Sequence, residues 1–273
     1  MAISYASKYS AIVDERFAAV SLTQSAFNND YDFEGVQTVN VYGLGTSPMN
    51  DYDMTGGTRY GVPDELGNSV QSLTMSQDRS FTFTIDRRNY EDTMMTMEAG
   101  KALSRQLNEV VIPEVDIYRL AKLVAGAGTT SAATPITNAN AYESFLQGVA
   151  TLLENNAPLA GAVAFISTNF YKQIRLDGAF IQASDIAQDM LIYGQVGMIE
   201  RVPLIYVPSS YLPTDVEFVL SNKVAALSPQ KLAEYRIHDN PPGINGWLVE
   251  GRVYYDAFVL ENKKNAIYVH KSA

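Results

Sequence analysis

The fold is decided by residues 89–124, which read NYEDTMMTMEAGKALSRQLNEVVIPEVDIYRLAKLV. This stretch is rich in helix formers, and as one continuous helix it would run ~50 Å, because each helical residue advances about 1.5 Å. Pro113 has no backbone N–H, so we expect it to kink the helix or to divide it into two segments. Apolar residues recur at steps of three, four and seven, which predicts one buried stripe. The stripe consists of Leu103, Leu107, Val110, Ile117, Ala121 and Val124.

The segment before this helix is too polar to fold alone. Residues 28–68 are rich in Gly and Asp and carry seven acidic residues against Arg59 alone. Such a segment buries too little apolar surface to offset the entropy lost when it becomes ordered. It therefore needs support from outside itself. Our hypothesis is that a neighbouring copy of the chain gives this support, which would make the protein a subunit of an assembly.

Strand patterns bracket the polar segment. Alternation over residues 36–42 and again over 70–85 predicts a long hairpin with a Gly-rich tip. With about twenty residues per arm at ~3.3 Å each, it could project ~60 Å. Before it we expect an arm with a short helix, and after the long helix an α/β region with a buried strand at Ala162–Ile166. Two more strands are predicted over 247–260 and 266–270, and a short helix over 186–193.

Composition excludes several classes of function. The chain has 273 residues, 47% of them hydrophobic, and a net charge of −10, which disfavours a dedicated nucleic-acid binder and a partner of anionic membranes. It has no cysteine, and its longest apolar run, residues 159–166, is far shorter than the ~20 residues that span a bilayer. Without a signal-peptide pattern at its start, we expect a soluble protein made in a cytosol.

No motif for catalysis or metal binding is complete. Acidic ladders that begin at Asp30 and Asp51 resemble half of a calcium loop, but each has valine at the twelfth position, where a bidentate glutamate is required. His238 precedes Asp239, but no nucleophile can be assigned to this pair, and we expect His270 to be exposed. We therefore expect no enzyme activity, no cofactor and no metal site. A cation shared with a neighbouring subunit stays open.

The order of these parts resembles one family over almost the whole chain. Ile112-Pro113-Glu114-Val115-Asp116 within the long helix, and the sequence GRVYYDAFV of residues 251–259 ahead of Lys263-Lys264, resemble the major capsid protein of tailed bacteriophages. The resemblance implies an α+β chain with the Hong Kong 97-type capsid fold. It also implies a structural subunit that self-assembles into the icosahedral head shell around phage double-stranded DNA. The alternative is an encapsulin-type nanocompartment shell protein.

The resemblance also divides the chain into regions. It implies an N-terminal arm at 1–34, an extended β-hairpin loop at 35–88, and the spine helix of a peripheral domain at 89–128. An axial domain follows at 129–230, and residues 231–273 return to the sheet of the peripheral domain. In some members, a lysine on the extended loop forms an isopeptide bond with a neighbour. No lysine lies between Lys8 and Lys101 here, so we expect a shell without such a bond.

The partners implied are further copies of the chain, in hexamers and pentamers, with a separate scaffolding protein, a portal and, in decorated shells, a decoration protein. The DNA is enclosed without sequence-specific binding, and no membrane is involved. The protein is expected in the virion shell after synthesis in the cytoplasm of a host bacterium.

Charge suggests where subunits meet. We expect acidic residues near the loop tip to face basic residues on a neighbour's spine helix, and the kink at Pro113 to adapt one subunit to five- and six-fold positions. The acidic candidates are Asp51, Asp53, Asp64 and Glu65, and the basic candidates are Arg87, Arg88, Arg105 and Lys122.

Overall fold

The computed structural model describes residues 21–28, 37–55, 57–63, 65–92, 99–178 and 197–273. The expected arm helix over residues 1–20, the acidic ladder from Asp30 and the expected helix over 186–193 lie outside these ranges. The chain divides into a smaller unit, residues 33–75, and a larger unit formed by residues 1–32 and 76–273.

The smaller unit is an antiparallel hairpin. Strand β1 (Thr38–Leu44) pairs with β2 (Asn68–Thr74), and the amide of Gly45 donates to the carbonyl oxygen of Gly67 just beyond the paired region. Each arm has seven residues, so the expected length of about twenty is wrong. The Gly- and Pro-rich residues between the strands do not sustain a ladder. The alternation at 81–85 belongs to a different strand, β3 (Gln77–Asp86), in the larger unit.

The long helix is divided, and the division lies directly before Pro113. Helix α1 (Arg87–Asp92) is followed, after residues outside the described ranges, by α2 (Ala99–Gln106), a π-helical turn (Leu107–Val111) and α3 (Ile112–Ala125). The amide of Ile112 donates to the carbonyl oxygen of Leu107, five residues back. Pro113 occupies the first turn of α3, where its missing N–H costs least.

The π turn changes which helix residues are buried. Leu103 and Leu107 are buried as expected, but the next buried residue is Ile112, five positions on. Val110 is 46% exposed and Ile117 is 38% exposed, so the expected stripe is wrong at both. The periodicity argument assumed 3.6 residues per turn throughout, whereas a π turn inserts one extra residue and rotates everything after it. The buried residues of α3 are Ile112, Val115, Asp116, Arg119, Leu120 and Leu123.

The remainder of the larger unit alternates helices with strands. Its helices are α4 (Ala141–Glu154) and α5 (Thr168–Leu176), with short 3-10 turns at Gln24–Ala26, Ser209–Tyr211 and Glu261–Ala266. Its further strands are β4 (Thr129–Thr130), β5 (Ala162–Ile166), β6 (Met198–Ile199), β7 (Val202–Tyr206), β8 (Val216–Asn222), β9 (Ala226–Leu227), β10 (Gln230–Asp239), β11 (Gly246–Tyr255), β12 (Phe258–Val259) and β13 (Ile267–Lys271).

A six-stranded mixed sheet has the order β4-β13-β8-β5-β7-β6. All five residues of β5 are buried, which confirms the predicted strand. Alternate residues of β5 face opposite sides of the sheet. Ala164 packs in one cluster with α4 and α5, and Phe165 packs in a second cluster with α3. His270 is 4% exposed and its ring stacks on Phe218, so the expectation of an exposed histidine is wrong.

A second, three-stranded antiparallel sheet has the order β10-β11-β3. Its apolar face, including Ile85, Val249 and Val253, packs against α2, the π turn and the start of α3. The predicted strand over 247–260 ends at Tyr255 and resumes as β12 after Asp256 and Ala257. Sequence analysis missed β10, although Ala233, Tyr235 and Ile237 alternate with polar residues in the pattern of a half-buried strand.

The register of the divided helix can be tested with two alanine variants. Ile112→Ala should lower the free energy of unfolding by about 2–5 kcal/mol, because it leaves a cavity in the core. Val110→Ala, only two residues away, should change it by less than about 0.5 kcal/mol, because Val110 is exposed. Urea unfolding of the two variants measures both values. A larger loss for Val110→Ala would contradict the π-turn register.

Candidate functional site

The hairpin unit exposes an unusual number of large apolar side chains. Met49 is 98% exposed, Tyr60 is 84% exposed, and the rings of Tyr52 and Tyr60 meet edge to face with centroids 5.1 Å apart. We call the exposed apolar set the hairpin surface: Tyr42, Leu44, Met49, Tyr52, Met54, Tyr60, Val62, Leu66 and Val70. Large apolar side chains that are concentrated on the exposed surface of one small unit indicate a candidate interaction site. The hairpin surface is therefore the candidate functional site.

The acidic candidates lie among these residues. Asp51, Asp53 and Glu65 are exposed on the segment between β1 and β2, and Asp64 lies outside the described residues. Asp53 also has a local role, since its carboxylate accepts hydrogen bonds from the amide of Thr55 at 2.8 Å and from its hydroxyl at 2.7 Å. This Asx-type turn shapes the tip.

The basic candidates are all exposed on the larger unit. Two have acidic neighbours in the chain itself: the Arg105 guanidinium lies 2.9 Å from Glu109, and that of Arg87 lies 3.6 Å from Asp239. The ammonium of Lys122 lies over the ring of Tyr118, 5.3 Å from its centroid. Arg88 follows Arg87 in α1. Pairing between these residues and a neighbour's loop acids stays a prediction.

Sequence analysis missed a buried polar site beneath residues 21–24. Asp116 is 1% exposed, and its carboxylate accepts hydrogen bonds from the Ser21 hydroxyl at 2.7 Å, the Leu22 amide at 3.0 Å and the Thr23 hydroxyl at 2.6 Å. An acidic and a basic residue three apart on a helix normally indicate an exposed pair. Asp116 and Arg119 both lie in the buried stripe of α3, and this position could have located the site. The π turn hides it from a periodicity argument, because it shifts the stripe.

Arg119 is the basic member of this site and is 2% exposed. Its Nη1 lies 3.3 Å from the hydroxyl oxygens of both Ser21 and Thr23, and 4.0 Å from the nearer Asp116 oxygen. Its Nε donates to the Ser228 hydroxyl at 2.8 Å. Burial lowers the pKa of Arg119, while the negative charge of Asp116 opposes that change. The two hydroxyls thus bridge the opposite charges.

A second buried carboxylate, Asp256, lies between β11 and β12. It accepts hydrogen bonds from the Ser76 amide at 2.8 Å, the Ser76 hydroxyl at 2.9 Å and the Tyr118 hydroxyl at 2.7 Å. The Ser228 hydroxyl donates to the backbone carbonyl oxygen of Asp256 at 2.9 Å. Burial, together with the bond to the Asp256 carboxylate, raises the pKa of Tyr118 to about 12.

The described residues offer little for catalysis or metal binding. Within them, no group of three or more His, Cys, Asp and Glu side chains could hold a metal ion. His238 Nε2 lies 3.2 Å from the Glu250 carboxylate on the exposed face of the three-stranded sheet, whereas Asp239 faces Arg87. Across the same ranges, no helix has the length and apolar character needed to cross a bilayer.

Comparison with known proteins identifies the fold. No family model and no curated protein matches the sequence. A chain of Mycobacterium phage Che8 is 18% identical with a TM-score of 0.75, over 93% of this chain and 91% of that one. A chain of the bacteriophage PhiM1 mature capsid is 10% identical with a TM-score of 0.65, over 90% and 88%. The subunit of a virus-like particle from Pyrococcus furiosus is 10% identical with a TM-score of 0.60, over 98% and 100%.

The chain therefore has the mixed α and β fold of phage capsid structures, which confirms the expected α+β fold class and the likeness to phage capsids. The arm, the spine helix and the axial domain stay predictions.

The link between Tyr118 and Asp256 predicts a pH dependence. Because burial and the bond to Asp256 raise the folded-state pKa of Tyr118, the protonated hydroxyl contributes stability that is complete below about pH 10 and is lost as the pH rises through about 12. The difference in unfolding free energy between the parent and Tyr118→Phe should therefore shrink between pH 9 and pH 12. Urea unfolding across this range measures it. A difference that stays constant over this range would contradict the raised pKa of Tyr118.

Proposed function

We propose that this chain is the major capsid protein of a tailed bacteriophage, a structural subunit rather than an enzyme. In this proposal it self-assembles into the icosahedral head shell that encloses double-stranded DNA and is located in the virion. The observation that carries the proposal is the hairpin surface: the described residues of the unit 33–75 expose nine large apolar side chains in a chain with the capsid fold. Such side chains gain most if a neighbouring copy covers them.

The regional roles follow from the same proposal. Residues 1–34 form the arm, 89–128 the spine helix of the peripheral domain, 129–230 the axial domain, and 231–273 the return to the peripheral sheet. For the extended loop we propose residues 35–75 rather than 35–88, because β3 pairs with β11 in the larger unit. The π turn before Pro113 supports a role for this point as the bend between five- and six-fold positions.

The acidic and the apolar residues at the loop tip contribute differently to the free energy of assembly. An exposed ion pair contributes about 0–1 kcal/mol, so acids such as Asp51 and Glu65 cannot hold subunits together alone. Full burial of one large apolar side chain contributes about 1.5–3 kcal/mol. Apolar contacts of the hairpin surface therefore supply most of the cohesion, and the acidic residues select the orientation against a neighbour's Arg87, Arg88, Arg105 or Lys122.

The proposed partners are further copies of the chain in hexamers and pentamers, a separate scaffolding protein, a portal and, in decorated shells, a decoration protein. The net charge of −10 agrees with a shell that encloses DNA without binding it tightly. We propose that the subunit is made in the cytoplasm of a host bacterium. The nanocompartment alternative has less support, because the two matches with the higher TM-scores named above come from phages.

Electron microscopy tests this function directly. The chain, expressed with its genomic neighbours, should form closed icosahedral shells, and boiled samples should run as one band near 30.0 kDa, because the loop offers no lysine for cross-linking. A monomer or dimer under every condition would contradict a shell protein. Shells that enclose a cargo enzyme would support the nanocompartment, and a ladder of bands would contradict the non-covalent shell.

Two double variants separate apolar cohesion from charge selection. Met54→Ser with Tyr60→Ser should reduce the yield of shells at least tenfold at both low and high salt, because apolar burial is not screened. Asp51→Lys with Glu65→Lys should reduce the yield at low salt and approach the parent at about 1 M salt, where the Debye length is about 3 Å. Light scattering during assembly gives both yields.

The unfolding free energy of each unassembled variant is the control. It should stay within about 0.5 kcal/mol of the parent per substitution, because all four side chains are exposed. Parent-like yields for the apolar variant would contradict the role of the hairpin surface.

A further inference from the structure

We propose that docking of residues 21–24 is coupled to the backbone at Ser76 through one continuous hydrogen-bond network inside the larger unit. We call it the coupling network: Asp116 and Arg119 on α3, Ser228 before β10, and Asp256 after β11. Ser76 is the first residue of the larger unit after the hairpin. This inference concerns a single subunit and does not depend on the proposed function.

The first step of the coupling lies at residues 21–24, which we call the arm of the coupling network. Asp116 and Arg119 are both buried, yet their nearest charged atoms are 4.0 Å apart. The hydroxyls of Ser21 and Thr23 each donate to Asp116 and accept from Arg119, so they bridge the two charges. When the arm leaves, both charges lose these partners. A direct salt bridge between Asp116 and Arg119 then becomes the favoured arrangement, because an uncompensated charge in a poorly solvated site is costly.

The second step lies at Arg119, which both halves of the network share. Its Nη1 faces the arm and its Nε donates to Ser228. A guanidinium is planar and rigid, so Nη1 cannot turn towards Asp116 without changing the direction of the Nε–H bond. The arrangement that satisfies Asp116 after arm release therefore weakens the bond to Ser228. These two arrangements of one side chain form the two-state element that coupling requires.

The third step connects Ser228 to Ser76. The Ser228 hydroxyl donates to the carbonyl oxygen of Asp256, and the carboxylate of the same residue binds the amide and hydroxyl of Ser76. A change at Ser228 therefore acts on the residue that holds the start of β3. In the docked state the amide of Ser76 is protected by a charge-assisted bond, which is stronger than a neutral one. Arm release should reduce that protection.

Amide hydrogen exchange on the purified full-length chain tests the coupling. Ser21→Ala with Thr23→Val removes both bridging hydroxyls, and exchange at Ser76 should become about three- to tenfold faster, the range expected for one lost hydrogen bond. The matched control is Thr151→Val, which removes a hydroxyl bonded to the Gln147 carbonyl oxygen on α4, and it should leave Ser76 unchanged. Unchanged exchange at Ser76 alongside faster exchange at Leu22 would overturn the proposal.

A further substitution, Ser228→Ala, tests whether the coupling between residues 21–24 and Ser76 passes through Ser228. In that background the arm substitutions should still speed exchange at Leu22 but should have no further effect at Ser76, because the connection is already cut. A full additional effect at Ser76 would overturn the route through Ser228. If the double arm variant does not fold, Thr23→Val alone is used, and exchange is again measured at Leu22 and Ser76. Faster exchange at Leu22 with unchanged exchange at Ser76 would again overturn the proposal.

Discussion

The structure depends on one helix, α3, that packs against two sheets. The first half of α3 presents Ile112 and Val115 to the three-stranded sheet, and its second half presents Leu120 and Leu123 to the six-stranded sheet. Tyr118 packs against both clusters. A helix can serve two surfaces only if its rotation is fixed, and the π turn at Leu107–Val111 sets that rotation. Pro113 cannot donate a hydrogen bond to a preceding carbonyl oxygen, so an irregular turn at this point costs little free energy.

The same rotation turns two charged residues inward. Asp116 and Arg119 would normally face solvent, because removing ions from water costs several kcal/mol each unless they are paired and hydrogen-bonded. Here the hydroxyls of residues 21–24 and of Ser228 satisfy them. The buried ions therefore tie a segment distant in sequence to the helix.

The larger unit buries charged residues, whereas the hairpin unit exposes apolar ones. Polar side chains line one face of its paired strands, where the hydroxyl of Thr38 meets that of Thr74 and the Ser72 hydroxyl donates to Asn40. Its segment between the strands instead exposes apolar side chains such as Met49 and Tyr60. A two-stranded hairpin is marginal alone in water. The larger unit buries a normal core, whereas the hairpin unit leaves large apolar side chains exposed.

Much of this could be predicted from the sequence. The run Ala162–Ile166 is apolar throughout and too short for a helix, so a buried strand was the natural interpretation, and the helix over 89–124 was predicted to be interrupted near Pro113. The polar character of residues 28–68 also indicated a segment that buries little apolar surface, and most of its described residues are exposed. These features are local, because they follow from periodicity, composition and the chemistry of one residue.

The rest was decided by tertiary structure. Periodicity could not reveal the π turn, since an extra residue in one turn leaves no local signature, and so Val110 and Ile117 were assigned to the wrong face. Strand alternation identified residues 81–85 but could not say that their partner is β11, over 150 residues away in sequence. The sequence by itself determined which segments are helical, extended or unable to bury a core. Only the packing decided which side chains meet, because Asp116, Ser228 and Asp256 become neighbours through long-range contacts.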